Sequence, residues 1–134
     1  MAKRDDEPLS EFVSISRLYQ RSIRIDVDLG RTDALDGYIC HATARGALES
    51  MATQLAQSNQ RAFTLTGPFG GGKSSLAVAL ASALSESKPV RQKARDLLRT
   101  SEIPSFDEAF ACRRGWLILP VVGKRASVVE ELTK

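Results

Sequence analysis

Apolar and polar residues alternate or cluster in three stretches of this chain in ways that are typical of β-strands. Strict alternation of apolar with charged residues over 22–29 predicts a half-buried strand. A short β-branched and aromatic run at 61–66 predicts a second strand, and the continuous apolar run at 116–122 predicts a strand covered on both faces. We therefore expect an α/β fold in which the strands at 61–66 and 116–122 are parallel.

Other stretches carry apolar residues at the spacing of an amphipathic helix. These predicted helices cover 11–20, 44–55, 74–84 and 90–98, with a last helix beginning at 127. In the third of them, the predicted buried stripe consists of Ala77, Leu80, Ala81 and Leu84. A helix of one or two turns is expected to bury Phe106 and Phe110, and the polar residues 1–10 predict a disordered tail.

The chemistry of the chain centres on the segment GPFGGGKSS at 67–75, which fits the phosphate-binding pattern G-x-x-x-x-G-K-S, or P-loop. Its glycines allow a tight turn whose backbone N–H groups converge on an anion. A predicted strand precedes it and a predicted helix follows it, so that the positive end of the helix dipole would lie under the phosphates.

In this motif the lysine reaches the β- and γ-phosphates and the following hydroxyl binds Mg²⁺. We therefore predict that Lys73 is the catalytic cation, that Ser74 is the metal ligand, and that the cofactors are ATP and Mg²⁺. ATP is preferred because no guanine-specifying Asn-Lys-x-Asp motif is present. The predicted phosphate-binding residues are Gly67, Pro68, Phe69, Gly70, Gly71, Gly72, Lys73, Ser74 and Ser75.

Hydrolysis also needs an acid that orders the metal, normally at the end of a hydrophobic strand after the loop. The run at 116–122 is followed by Gly123 and a lysine rather than an acid, and Asp26 and Asp28 precede the loop. We interpret those two carboxylates as solvated residues on the polar face of a strand. Three interpretations stay open: the N-terminal piece of a longer ATPase, which we favour, a short non-hydrolysing nucleotide binder, or a small kinase-like enzyme.

The composition of the chain excludes few classes of function. The net charge of +3, from 19 basic and 16 acidic residues, is too small to indicate nucleic-acid binding. A basic patch could still bind nucleic acid, but it lacks interleaved aromatic residues, which favours a solvated helix face. That patch comprises Arg91, Lys93, Arg95, Arg99, Arg113 and Arg114. Two cysteines, Cys40 and Cys112, are expected to be reduced thiols in a cytoplasmic protein, and no apolar run predicts a membrane partner.

The motif and its flanks resemble P-loop NTPases, and the stretch 41–75 is similar to the AAA+ and STAND type. The resemblance implies a partial three-layer fold, with an N-terminal extension at 11–40 and a P-loop domain at 41–134 that ends before the metal-acid (Walker B) strand. It also implies that Ile39, Cys40 and His41 lie beside the adenine base.

Such proteins use ATP to drive conformational change or assembly, so the resemblance implies self-association or contact with the rest of a larger chain as the partner. Little hydrolysis is then expected from these residues alone. The alternative is a nucleotide-binding switch or oligomerisation module without hydrolysis. The stretch 21–26 bears a weaker resemblance to ATP-binding proteins of bacterial phage-defence systems.

Overall fold

The computed structural model describes residues 8, 12–14, 22–111 and 113–123. Half of these residues are helical and none of them belongs to a strand. The helices are α1 (Ile25–Asp28), α2 (Ala42–Gln57), α3 (Lys73–Ala83), α4 (Lys88–Leu98) and α5 (Phe106–Ala109), with 3₁₀ turns at Asp33–Leu35 and Thr100–Glu102. The predicted three-layer α/β P-loop fold is therefore wrong, because the described residues form packed helices without a sheet.

Helices α2 and α3 each contribute four apolar residues to the core. Helix α3 packs against α4 and α1, whereas α2 packs against α5. The predicted stripe on α3 is largely wrong. The buried residues within α3 are Leu76, Val78, Ala79, Ser82 and Ala83. Of the predicted stripe only Leu84, the C-cap, is buried, whereas Leu80 is partly buried against the core. Because α3 is apolar almost all round, its periodicity does not define one buried face.

Helices α2 and α4 bury most of the residues that their spacing predicts. The buried positions include Leu48 and Met51 on α2, and Val90, Ala94 and Leu98 on α4. The predicted positions Ala47, Leu55 and Leu97 are only partly buried. The same core holds Phe106 and Phe110, whose ring centroids lie 4.8 Å apart. The prediction that both phenylalanines are buried is confirmed.

The stretch 22–29 forms a helical turn rather than the predicted strand. The backbone N–H of Arg24 donates to Oδ2 of Asp28 at 2.8 Å, and the N–H of Asp28 donates to the carbonyl of Arg24 at 2.8 Å. These two bonds close the turn on itself, and Asp28 is fully buried while Val27 is 45% exposed. The interpretation of Asp28 as solvated is therefore wrong, whereas Asp26 is exposed and pairs with Arg24.

The predicted strands at 61–66 and 116–122 are extended segments without a β-ladder in the described part of the chain. Leu117 and Leu119 are 79% and 72% exposed, which contradicts burial on both faces. The second segment is tied to the helices by the N–H of Trp116, which donates to the carbonyl of Leu84 at 2.7 Å. Local β-propensity favours extended backbone, but a strand also needs a neighbouring strand to satisfy its N–H and C=O groups.

Several predictions fall on residues that the structure does not describe. The predicted tail at 1–10 and the predicted helix at 11–20 lie outside the described residues, except for residue 8 and residues 12–14. The predicted helix from 127 also lies outside them. Cys112 also lies outside them. Among the helices that are described, none is both long and apolar enough to cross a bilayer.

Candidate phosphate-binding site

The glycine loop leads directly into α3, which begins at Lys73. Gly70 and Gly72 have φ angles of +78° and +75°, a region that residues with a Cβ rarely adopt. Within the loop, the N–H of Gly71 donates to the carbonyl of Pro68 at 3.2 Å. The local loop-to-helix part of the sequence prediction is thus present, although the strand before it is not.

The first turn of α3 leaves backbone donors for an anion. In the described part of the chain, the N–H groups of Lys73, Ser74 and Ser75 donate no hydrogen bond, and the N-cap Gly72 receives no side-chain cap. Such groups carry the positive end of the helix dipole. An anion that lies against this turn would accept hydrogen bonds that no described residue supplies.

The side chain of Lys73 folds back along the loop. Its Nζ donates to the carbonyl of Gly67 at 2.9 Å and to that of Pro68 at 2.7 Å. Gly67 and Pro68 therefore position the ammonium group, although they do not line the cavity described next. A bound phosphate would accept a hydrogen bond from this ammonium group, which now donates to the two carbonyls.

A cavity of about 530 Å³ opens beside the loop, within the usual range for small-molecule sites. One wall is the loop and the start of α3, from Phe69 to Ser75. Ile39 belongs to the opposite wall and His41 lies where the two walls meet; these are the two predicted base-side residues that line the cavity. Cys40 lies between them in the chain but does not line the cavity, and burial raises the pKa of its thiol.

Sequence reasoning missed the rest of the opposite wall. These residues are Ser22, Ile23, Asp28, Ala34, Asp36, Gly37 and Tyr38. Ser22, Ile23 and Asp28 belong to the stretch that the alternating pattern had assigned to a strand, and the other four lie in and after the 3₁₀ turn at Asp33–Leu35. The polar turn residues after 30 gave no signal for a site.

The two carboxylates of this wall already accept hydrogen bonds from the protein. Asp28 accepts from the Arg24 N–H, and Asp36 pairs with the ammonium group of Lys93 on α4. Beside them, burial raises the pKa of Tyr38 to about 12, so its phenol stays protonated near neutral pH. The wall opposite the loop therefore carries two carboxylates, of which Asp36 is paired with a cation.

His41 connects the two walls. It is the N-cap of α2, and its Nδ1 accepts from the N–H of Ala44 at 3.4 Å. Its Nε2 lies 3.9 Å from the position that a Cβ would take at Gly72. The imidazole thus contacts the region where the loop becomes α3.

Two observations bear on the predicted metal site. Ser74, the predicted Mg²⁺ ligand, is exposed at the cavity. Among the described residues, no group of three or more His, Cys, Asp or Glu side chains could hold a metal ion.

The basic residues of α4 are largely used inside the chain. Arg91 donates to the Ser85 carbonyl at 2.8 Å, Lys93 pairs with Asp36, and Arg95 donates to Asp107 at 2.7 Å. Arg95 also lies over the ring of Phe106, 5.5 Å from its centroid. The remaining members of the predicted basic patch, Arg99, Arg113 and Arg114, are exposed.

Comparison with known proteins adds no family to this description. The chain matches no protein-family model, no curated protein and no solved structure.

Proposed function

We propose that this chain binds the phosphates of a nucleoside triphosphate, ATP in the first place, against the loop at 67–75. The observation that carries the proposal is the start of α3, where the N–H groups of Lys73, Ser74 and Ser75 donate to no residue that the structure describes and all three residues line the cavity. Backbone donors, a helix N-terminus and an ammonium group form the combination that recognises a polyphosphate. The proposal concerns the loop and does not include a three-layer fold.

Charge orients the nucleotide in this cavity. The phosphates belong at the loop, because Asp28 and Asp36 on the other wall would repel them. The sugar and base then lie toward Tyr38 and Ile39, where a half-buried phenol and an exposed aliphatic side chain offer apolar surface. Mg²⁺ bound to Ser74 would neutralise phosphate charge.

Binding without rapid turnover is the activity that these residues support best. The two carboxylates of the cavity accept hydrogen bonds from Arg24 and Lys93, so both are committed to the protein's own donors. A water-activating base needs a carboxylate within reach of the attacking water. The non-hydrolysing switch is therefore favoured for these residues, and a cytoplasmic location, where ATP is supplied, is proposed with it.

The test compares two lysine variants in a titration of the chain with MgATP. We expect Lys73→Ala to weaken binding by more than about tenfold, because a charge-assisted hydrogen bond contributes roughly 1.5–3 kcal/mol. Lys88→Ala is the matched control, since it removes the same charge from an exposed position that does not line the cavity. Equal affinities for the wild type and Lys73→Ala would refute the proposal.

A further inference from the structure

His41 is placed so that its two ring nitrogens face different helices. Nδ1 accepts the N–H of Ala44 in the first turn of α2, and Nε2 approaches Gly72 at the start of α3. The ring is exposed on the cavity side and lines the same space as Lys73 and Ser74. One side chain therefore links the N-termini of two helices at the edge of the site.

The bond to Ala44 assigns the proton on the ring. A nitrogen that accepts a hydrogen bond carries no proton, so the proton of the neutral imidazole lies on Nε2. The hydrogen-bond donor of His41 is thus the atom that lies 3.9 Å from the Cβ position of Gly72. Nε2 therefore lies near the first turn of α3, whose N–H groups donate to none of the described residues.

We propose that His41 donates its Nε2–H to a phosphate oxygen of the nucleotide, and this inference rests on the proposed function. It assigns His41 to the phosphate end of the cavity, whereas the resemblance to AAA+ and STAND proteins implies a place beside the base. The phosphate then has two side-chain donors, the Nε2–H of His41 and the ammonium group of Lys73, which also donates to the carbonyls of Gly67 and Pro68. The phosphate is then held between the starts of α2 and α3.

The carboxylates of the opposite wall support this assignment. Asp28 lines that wall and would repel a phosphate, which favours the anion near the donors at the start of α3. His41 lies beside those donors, and its Nε2 is a donor as well. A base or sugar edge placed there would displace the phosphates from the first turn of α3.

Two substitutions separate the phosphate contact from the helix cap. His41→Ser keeps a side-chain acceptor for the first turn of α2 but is too short to reach the loop, whereas His41→Ala removes both. Each variant and the wild type are titrated with MgATP and with sodium tripolyphosphate, and their thermal unfolding midpoints are measured. We expect both variants to bind both ligands about tenfold more weakly, while only His41→Ala unfolds at a lower temperature.

The two ligands distinguish the outcomes. A loss for ATP with unchanged tripolyphosphate affinity would place His41 at the base and overturn the inference, as would wild-type affinity in His41→Ser. A loss in His41→Ala alone would make His41 a structural cap and overturn it too. Failure of the wild type to bind either ligand would refute the proposed function itself, and with it this inference.

Discussion

Replacing Gly72 by alanine tests the backbone on which the site depends. Gly72 has a φ angle of +75°, and the nearest atom to an added Cβ is Nε2 of His41 at 3.9 Å, an ordinary contact. Crowding therefore contributes little, and the cost is the left-handed conformation, about 1–2 kcal/mol for an L-residue. If the loop keeps its conformation in the variant, the conformational cost lowers the free energy of unfolding. If the loop instead relaxes to another conformation, the variant binds ATP more weakly.

The two losses should consequently sum to about 1–2 kcal/mol, which as affinity alone is roughly 5–30-fold. Urea unfolding and MgATP titration of the same variant measure them. Gly46→Ala is the matched control, because Gly46 lies within α2 with nothing within 4 Å of an added Cβ. It should stabilise the chain by up to about 1 kcal/mol. A Gly72→Ala variant that changes neither quantity by more than about 0.5 kcal/mol would refute the left-handed start of α3.

Two further substitutions test the wall opposite the loop. Asp28→Ala should lower the free energy of unfolding by about 1–3 kcal/mol in urea titrations, because the Arg24 N–H loses its buried acceptor. The control Asp26→Ala, at an exposed position, should lower it by less than about 1 kcal/mol. Equal effects of the two substitutions would contradict the closed turn. Burial raises the pKa of Tyr38 from 10.0 to about 12, so the stability contributed by the protonated phenol is complete below pH 10 and is lost as the pH rises through about 12. Tyr38→Phe should therefore lose less stability than the wild type between pH 10 and 12 in unfolding measurements, and identical pH dependences would show that the phenol is not buried.

The parts of the fold that follow from local physics were predictable. The glycine run before Lys73 identifies a loop that turns into a helix, since only glycine adopts the required angles readily. Spacing at i and i+4 identifies the buried faces of α2 and α4 because charged residues occupy their other faces. Both predictions depend only on residues that are close in sequence.

The errors arose where local pattern does not decide the outcome. Alternation at 22–29 fits a strand, yet the side chain of Asp28 closes a helical turn by binding a backbone N–H four residues earlier. The apolar run at 116–122 fits a covered strand, but a strand forms only where another strand lies beside it. Periodicity is also uninformative on α3, where the residues from Leu76 to Ala83 are apolar except for Ser82.

The sequence predicted the glycine-loop wall of the candidate site but not the wall opposite it. Its phosphate wall has a motif with fixed spacing, whereas Asp28, Asp36 and Tyr38 reach the cavity through turns that no spacing rule describes. His41 entered through a resemblance to proteins in which the equivalent segment covers the base, and its contact with Gly72 became visible only in three dimensions. Sites built from turns of different segments are set by packing, which one sequence does not reveal.

The most direct test of the phosphate-binding loop follows the backbone amides by NMR while MgATP is added. If the account is correct, the largest saturable shifts fall on the amides of Gly72 to Ser75, the last three of which donate no hydrogen bond within the described part of the chain. The exposed segment 116–123 serves as the internal reference and should shift little. Saturable shifts centred elsewhere, with the amides of Gly72 to Ser75 unchanged, would contradict the central claim.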